Sequence, residues 1–84
     1  MSYYTYILKS QKNNRYYIGS TENVKRRLQE HNWSRTTSTK SGIPWEVVYT
    51  ETFATRNEAI KREYQIKAKK SRKYIDFLIK SSSD

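Results

Sequence analysis

One segment of the chain, RYYIGSTENVKRRLQEHN from Arg15 to Asn32, gathers side chains suited to acid–base and phosphate chemistry. Two adjacent tyrosines lead into a short apolar run and a glycine. A helix-like stretch follows, with three basic residues and the only histidine of the chain. A guanidinium pairs well with phosphate oxygens, and an imidazole exchanges protons near neutral pH. Two hypotheses explain the grouping: packing combined with solubility, or a site that handles a phosphodiester.

Tyr6 and Tyr17 are candidate proton acceptors, although a phenol with its ordinary pKa of about 10 is a poor base. A nearby guanidinium, such as that of Arg27, would favour the phenolate and lower this pKa. Each residue also has a simpler explanation. Most of the eight tyrosines must serve packing. Arg27 alone is typical of a solvated helix, and His31 suits a helix C-terminus because of the helix dipole.

Glu63 is an anomalous carboxylate in a predicted helix. The apolar arc of that helix is marked by Ala59, Ile60 and Ile66, and Glu63 falls inside this arc. A carboxylate on a core-facing stripe is costly unless something pairs with it. The partner could be Lys67, four residues later, or the arc could be only partly buried. A third hypothesis is that Glu63 holds Mg²⁺ beside a phosphate.

The tyrosines lie on two predicted strands. The first strand is YYTYILK from Tyr3 to Lys9, and the second is YYIG from Tyr16 to Gly19. The QKNN between them is a turn signal. A hairpin loop of two or four residues places Tyr6 and Tyr17 on one face of the sheet, because side chains alternate with period two.

A first helix is predicted from about Glu22 to His31, with Thr21 as its N-cap. One stripe of this helix follows the i, i+3, i+4, i+7 spacing and consists of Val24, Arg27, Leu28 and His31. The apolar members would anchor the helix to the core, which leaves the basic members one above the other at its edge. The polar stretch from Asn32 to Pro44 predicts a long loop.

The rest of the chain predicts a third strand, from Trp45 to Phe53, and two more helices. The capping box TRNE begins a helix that continues to about Lys69, and Ser71 caps a last helix from Arg72 to Lys80. The order β-β-α-β-α-α predicts an α+β fold, a three-stranded antiparallel sheet flanked by helices. We expect residues 1–80 to form one domain and residues 81–84 a frayed tail.

Composition limits the partners. The 84 residues carry a net charge of +9, which favours nucleic acid as the partner over a merely soluble basic surface. The chain has no cysteine, which excludes disulfides and Cys-based zinc sites. We find no signal peptide and no apolar run of about 20 residues, so we expect a cytoplasmic protein without a membrane partner.

Basic side chains of the first helix, the predicted loop and the C-terminal part of the chain are candidates for contacts to nucleic-acid phosphates. The predicted contacts are Lys25, Arg26, Arg35, Lys40, Lys67, Lys69, Lys70 and Arg72. Trp33 and Trp45 flank the predicted loop and could stack on an unpaired base. Packing over a thin core is the alternative, especially for Trp45, which begins a strand.

The spacing of these residues resembles the signature of the GIY-YIG nuclease family. Tyr4-Thr5-Tyr6 is followed after ten residues by Tyr17-Ile18-Gly19, then by Arg27, His31 and, within AIKRE, Glu63. The resemblance covers nearly the whole chain. The stretch PWEVVYTETFATRNEAIKRE is similar to small stand-alone bacterial members, which are related to the nuclease domain of the excision-repair incision subunit.

The resemblance implies a one-metal nuclease site with defined roles. Tyr17 would activate the attacking water, assisted by Tyr6 and His31. Arg27 would bind the scissile phosphate and stabilise its added negative charge. Glu63 would ligate Mg²⁺ or Mn²⁺. The implied function is a metal-dependent DNA endonuclease, structure-selective and active in DNA repair or recombination. The alternatives are a nucleic-acid-binding domain without catalysis and a scaffold for a repair complex.

The sequence departs from the family pattern at several positions. The first triplet has Tyr4 in place of glycine, and Thr5 at its centre, which affects packing more than chemistry. Ser20 stands where some relatives carry lysine and others serine. Many relatives have an Asn beyond the helix of Glu63, but KKSRKYIDF has none, so no role for it is carried over. Most characterised relatives also have a DNA-selecting domain. Here specificity would come from the basic surface or from a protein partner.

Overall fold

Three strands form one antiparallel sheet with the spatial order β2-β1-β3. In this computed structural model, which describes residues 2–33 and 37–81, the strands are β1 (Tyr3–Ser10), β2 (Tyr16–Thr21) and β3 (Trp45–Phe53). The helices are α1 (Val24–Asn32), α2 (Arg56–Lys69) and α3 (Arg72–Ser81). The element order and the sheet confirm the α+β fold predicted from the sequence.

The β1–β2 hairpin sets the register of the candidate site. Tyr6 lies opposite Gly19, and Leu8 lies opposite Tyr17. Because residues two apart on a strand point to the same side, Tyr6 and Tyr17 share one face of the sheet. The predicted common face is therefore confirmed. Asn14, in the turn, has a φ of 61°, in agreement with the turn signal.

The sheet separates two thin cores. On one face, Tyr6, Leu8 and Trp45 are buried, and the half-buried Val24 and Leu28 of α1 pack against them. On the other face, α2 and α3 cover residues of β1 and β2. The buried members of this second core are Ile7, Ile18, Ile66, Ile75 and Leu78. The site must therefore be assembled around a sheet with α1 on one side and α2 on the other.

The helix starts show where local sequence decides the structure. Thr55 and Glu58 form the predicted capping box, and α2 has the predicted end at Lys69. The predicted cap of the first helix, Thr21, is wrong. Thr21 is the last residue of β2 and pairs with Tyr4, so the cap is Asn23, whose side chain accepts from the Arg26 N–H.

The predicted loop from Asn32 to Pro44 is in part regular, since Thr37–Gly42 form a 3₁₀ helix. Tertiary contacts hold it in place. The indole N–H of Trp45 donates to the Thr39 carbonyl at 2.7 Å, and the Ser10 hydroxyl donates to the Gly42 carbonyl at 2.6 Å. None of these contacts has a periodic sequence signal.

The C-terminal helix begins as predicted and ends one residue later. The Ser71 hydroxyl accepts from the Tyr74 N–H at 3.2 Å, and α3 includes Ser81, which the sequence assigned to the frayed tail. The other residues of that predicted tail, 82–84, lie outside the described residues. No helix in the described part of the chain has the length and apolar composition needed to cross a membrane.

Candidate active site

Three aromatic side chains, Tyr6, Tyr17 and His31, form one contact group on the α1 face of the sheet. The ring centroids of Tyr17 and His31 are 4.7 Å apart, and Tyr6 stands 6.4 Å from each of the other two rings. The exposure of the group is graded. His31 and Tyr6 are 0% and 1% exposed, whereas Tyr17 is half-buried. Tyr17 is therefore the member of the group that solvent or a substrate can reach.

Gly19 gives the Tyr6 phenol its position. A Cβ at this glycine would stand 2.5 Å from the Tyr6 hydroxyl oxygen and 2.7 Å from its Cζ. Real Cβ atoms do not approach other atoms so closely, so the phenol lies in space that only glycine leaves open. The glycine of the YIG triplet therefore lets the Tyr6 hydroxyl extend over the edge strand β2.

His31 is fixed at both ring nitrogens. Its Nε2 lies 3.4 Å from the Tyr6 hydroxyl, and its Nδ1 shares a 2.8 Å hydrogen bond with the Thr39 hydroxyl. The expected position at the helix edge is wrong, because His31 is fully buried. Burial, with the positive charge of Arg27, lowers the pKa of His31 below its ordinary value, while Glu30 partly opposes this shift. The buried imidazole is therefore neutral at neutral pH.

Thr39 was not among the residues that the sequence singled out. It lies in the 3₁₀ helix, is 1% exposed, and contacts the site through its hydrogen bond with His31. A threonine in a polar stretch has no distinguishing pattern, so only the folded chain reveals it.

Arg27 lies one helical turn before His31, and its guanidinium interacts with the Tyr6 phenol. Its Nη1 makes a 2.6 Å ion pair with Glu30, and both side chains are about one-third exposed, at 31% and 29%. The Arg27 guanidinium favours the Tyr6 phenolate, as expected, yet the pKa of Tyr6 is raised overall. Burial raises the pKa of Tyr6 more than the Arg27 guanidinium lowers it.

Glu63 of α2 is held between a hydroxyl and an ammonium. The Ser20 hydroxyl donates to Oε1 at 2.8 Å, and Lys67 Nζ lies 2.6 Å from Oε2. The Glu63 side chain is only 14% exposed, whereas that of Lys67 is 46% exposed. The ion pair with Lys67 that the i, i+4 spacing suggested is therefore present. Ser20 of β2 binds the other oxygen of the same carboxylate. Lys67, predicted as a phosphate contact, has this carboxylate as its partner.

The phenols and the carboxylate approach the edge strand β2 from opposite faces of the sheet. Tyr6 reaches across Gly19 from the α1 face, while Glu63 binds the next residue, Ser20, from the α2 face. The charge of Glu63 contributes to the raised pKa of Tyr6, so the two groups lie within electrostatic range. The five predicted residues are thus gathered at one edge of the sheet, and Arg27 and His31 come from the single helix α1.

A magnesium or manganese ion fits this donor set only if Glu63 is the single carboxylate ligand and waters and substrate phosphate oxygens supply the other ligands. No group of three or more acidic or histidine side chains that could hold a metal occurs within residues 2–33 and 37–81. Mg²⁺ is commonly bound by one or two carboxylates, with waters and substrate phosphate oxygens as its other ligands. A half-buried Glu63 whose second oxygen faces an exposed, movable ammonium fits such a single-carboxylate site.

The other predicted nucleic-acid contacts have mixed positions. Arg35 lies outside the described residues. The remaining predicted contacts are all exposed, namely Lys25, Arg26, Lys40, Lys69, Lys70 and Arg72. Trp33 is 64% exposed and stays available for stacking. The stacking role proposed for Trp45 is wrong, because Trp45 is 6% exposed and packs edge-on against Tyr17 with centroids 6.5 Å apart.

Comparisons with known proteins agree on one family. The family model of the GIY-YIG catalytic domain matches residues 2–75. A UPF0213 protein of Staphylococcus haemolyticus is 42% identical over 66 residues, which are 77% of this chain and 79% of the relative. A UPF0213 protein of Limosilactobacillus reuteri is 33% identical over 85 residues, covering 98% of this chain and 88% of the relative.

A solved structure has the same architecture. The solution NMR structure of a UPF0213 protein from Bacillus halodurans superimposes with a TM-score of 0.60 at 30% identity. The similarity covers 98% of this chain and 86% of that protein. The sequence relatives and the structural neighbour therefore indicate the same origin for the whole described fold.

Proposed function

The chain belongs to the GIY-YIG nuclease family, and on this premise we propose that it is a metal-dependent endonuclease acting on DNA. The proposal covers residues 1–80 as one catalytic domain, with a structure-selective activity in DNA repair or recombination. One observation carries it: the contact group of two phenols and a neutral imidazole lies at the same sheet edge as the Glu63 carboxylate.

In the proposed reaction, Tyr17 contacts the attacking water because it is the one member of the aromatic group that is not fully buried. The Tyr17 oxygen, in its phenolate form, takes a proton from the water as the water attacks the phosphorus. The bond to the leaving oxygen breaks, and that oxygen takes a proton from solvent. A neutral His31 that donates from Nδ1 to Thr39 has Nε2 free to accept from Tyr6. His31 is buried, so it acts through the phenols and does not contact the substrate.

Arg27 and Glu63 supply the charges of the proposed site. Arg27 has five N–H donors and uses only one of its nitrogens for Glu30, so it can bind a phosphate oxygen as well. Glu63 would hold the ion once Lys67 moves away. When bound, Mg²⁺ or Mn²⁺ would polarise the phosphoryl oxygen and neutralise the developing negative charge.

Cleavage assays test the proposal directly. Flapped, forked, nicked and linear DNA, with matching RNA strands, would be incubated with Mg²⁺ or Mn²⁺. We expect Tyr17→Phe and Glu63→Gln to lower the cleavage rate by about 10²-fold or more. The matched controls are Tyr64→Phe and Glu46→Gln, which alter exposed side chains away from the site and should cut as wild type does.

A second candidate function is a nucleic-acid-binding domain without catalysis, alone or as part of a repair complex. The ion pair between Glu63 and Lys67 favours it, since this ammonium already neutralises the carboxylate. Binding with a steep salt dependence and no cleavage under any metal condition would support this candidate over the endonuclease. Cleavage that is equal in wild type, Tyr17→Phe and Glu63→Gln would contradict the assigned site.

A further inference from the structure

A cleft of about 170 Å³ lies beside the candidate active site, at the end of β2. Its walls come from β1, β2, the start of α1 and the first two turns of α2. The lining residues are Tyr3, Ser20, Thr21, Glu22, Arg26, Arg56, Ala59 and Ile60. Ser20 links the cleft to the site, because the same hydroxyl donates to the Glu63 carboxylate. A ligand in the cleft is therefore a direct neighbour of the group proposed to hold the metal.

The cleft is lined by two guanidiniums whose charges are only weakly compensated. Arg26 approaches Glu22 no closer than 3.9 Å, and both side chains are substantially exposed, at 56% and 40%. Arg56 is exposed, stands 6.0 Å from the centroid of the Tyr3 ring, and makes no ion pair with any residue in the described ranges.

Other arginines of the chain show the contrast. Arg27 is paired with Glu30 at 2.6 Å, and Arg62 is paired with Glu51 at 3.0 Å. The single carboxylate of the cleft, Glu22, cannot balance two guanidiniums, so the cleft keeps a net positive charge. Such a concave surface with planar N–H donors favours a phosphate group over a neutral or cationic ligand.

We propose that Arg26 and Arg56 form a second phosphate-binding subsite for the nucleic-acid strand held in the active site. It takes the backbone phosphate next to the scissile one, and so fixes the direction in which the strand crosses the edge of the sheet. This inference rests on the proposed nuclease function. It extends that function to Arg56, whose position at the start of α2 gave no signal in the sequence.

Binding measurements provide the first test. Fluorescence anisotropy of a labelled flapped duplex would be followed against salt concentration, with Tyr17→Phe as the background to prevent cleavage. Arg26→Ala and Arg56→Ala should each weaken binding by about tenfold and reduce the slope of log K against log salt by about 1. Lys61→Ala is the matched control, because it removes one exposed positive charge from α2 on a surface shared with Glu51 and Glu58. It should leave both quantities near the background values.

A substrate with one neutral linkage gives the sharper test. A single methylphosphonate would be moved one position at a time to each side of the mapped cleavage point. One position should lower the cleavage rate of the wild type about tenfold, yet have little effect on a chain carrying both Arg26→Ala and Arg56→Ala. Far-UV circular dichroism and melting temperatures would establish that the variants are folded.

The outcomes separate the two proposals. If the wild type binds and cuts nucleic acid, but the arginine variants behave as Lys61→Ala does, the subsite is wrong and the nuclease proposal stands. Equal losses from the methylphosphonate in the wild type and the double variant would overturn the subsite as well. If the wild type neither binds nor cuts any nucleic acid, the proposed function fails, and the subsite fails with it.

Discussion

The hydroxyl oxygen of Tyr6 lies 2.5 Å from the point where a Cβ on Gly19 would stand, so the two residues occupy complementary space. The glycine is opposite Tyr6 in the antiparallel pair, and its missing side chain leaves room for the phenol. This relationship connects the two halves of the sequence signature. A residue of the first triplet needs the last residue of the second triplet in order to reach the edge of the sheet.

Replacing Gly19 by alanine should displace the Tyr6 ring. We expect Gly19→Ala to lower the free energy of unfolding by about 1–3 kcal/mol, because overpacking a close contact forces the backbone or the ring to move. The rate of cleavage should fall as well. Urea unfolding and the cleavage assay would measure both effects. Adding Tyr6→Phe should recover part of the stability, and a double variant no more stable than Gly19→Ala would contradict the contact.

Ser20 should act through Glu63 by orienting its carboxylate. Ser20→Ala removes a 2.8 Å hydrogen bond, and we expect it to weaken Mn²⁺ binding in the presence of uncut DNA by about 10-fold or more. Ser20→Thr retains the hydroxyl and should restore much of the affinity. Electron paramagnetic resonance of Mn²⁺ would report the bound fraction. Affinities that are equal for Ser20→Ala and wild type would show that the bond does not position the carboxylate.

The ammonium of Lys67 should compete with a metal ion for the Glu63 carboxylate. Lys67→Met keeps the apolar stem and removes the charge that lies 2.6 Å from Oε2. We expect Mn²⁺ affinity of the free protein to rise by about threefold to tenfold, since a competing cation at a partly exposed pair contributes about 1 kcal/mol. Isothermal titration calorimetry would measure the change, with Lys61→Met as the control. Unchanged or weaker binding would indicate that Lys67 does not occupy the ion's position.

The buried His31 should make stability depend on pH. Burial lowers the pKa of His31 in the folded chain, whereas the unfolded chain keeps the ordinary histidine pKa of about 6.5. Below about pH 6.5 the unfolded chain therefore binds a proton more readily than the folded chain does. The stability contribution is complete above that value and is lost as the pH falls toward the folded pKa. Urea unfolding from about pH 7.5 to about pH 5.5 should show this decline. It should be smaller in His31→Gln, whose side chain does not titrate. A parallel decline in both proteins would contradict the assignment.

Arg62 should support the fold without serving the site. Its guanidinium binds both carboxylate oxygens of Glu51 and also donates to the Tyr74 hydroxyl at 3.2 Å. Tyr49 donates its hydroxyl to the same carboxylate, and burial with this hydrogen bond raises the pKa of Tyr49 to about 12. We expect Arg62→Ala to lower the free energy of unfolding by about 1–2 kcal/mol.

Cleavage and DNA binding provide the comparison for Arg62→Ala. At a temperature where the variant is folded, both should match the wild type within about twofold, because Arg62 faces β3 and α3 and does not line the cleft. A change in the salt slope of DNA binding similar to that of Arg56→Ala would contradict this separation of roles.

Local sequence signals predicted those elements whose ends are decided locally. The capping box of Thr55 and Glu58 gave α2 its observed start, and the β-branched and aromatic residues of Trp45–Phe53 gave β3 its observed bounds. The start of α1 was missed because Thr21 and Asn23 are both good caps. The choice between them depends on how far β2 stays paired with β1, which is a tertiary contact.

The candidate site was predictable in its residue types and less so in its geometry. The spacing identified the phenols and the odd carboxylate, and the hairpin register placed Tyr6 and Tyr17 on one face. The burial of His31 and its bond to Thr39 were not predictable, because they depend on a 3₁₀ helix anchored by Trp45. The net rise in the pKa of Tyr6 was also not predictable, because it is caused by burial, and the neighbouring charges in the sequence do not indicate how deeply a side chain is buried.

Because the site is divided between two faces of the sheet, its two parts are synthesised at different times. The hairpin and α1 leave the ribosome before α2, which carries Glu63 and docks on the sheet together with α3. If the groups act as proposed, a nascent chain that still lacks α2 holds both phenols and the imidazole yet has no catalytic power. Ribosome-bound chains halted before α2 should therefore leave DNA uncut, and activity should begin only after α2 has been synthesised and has docked.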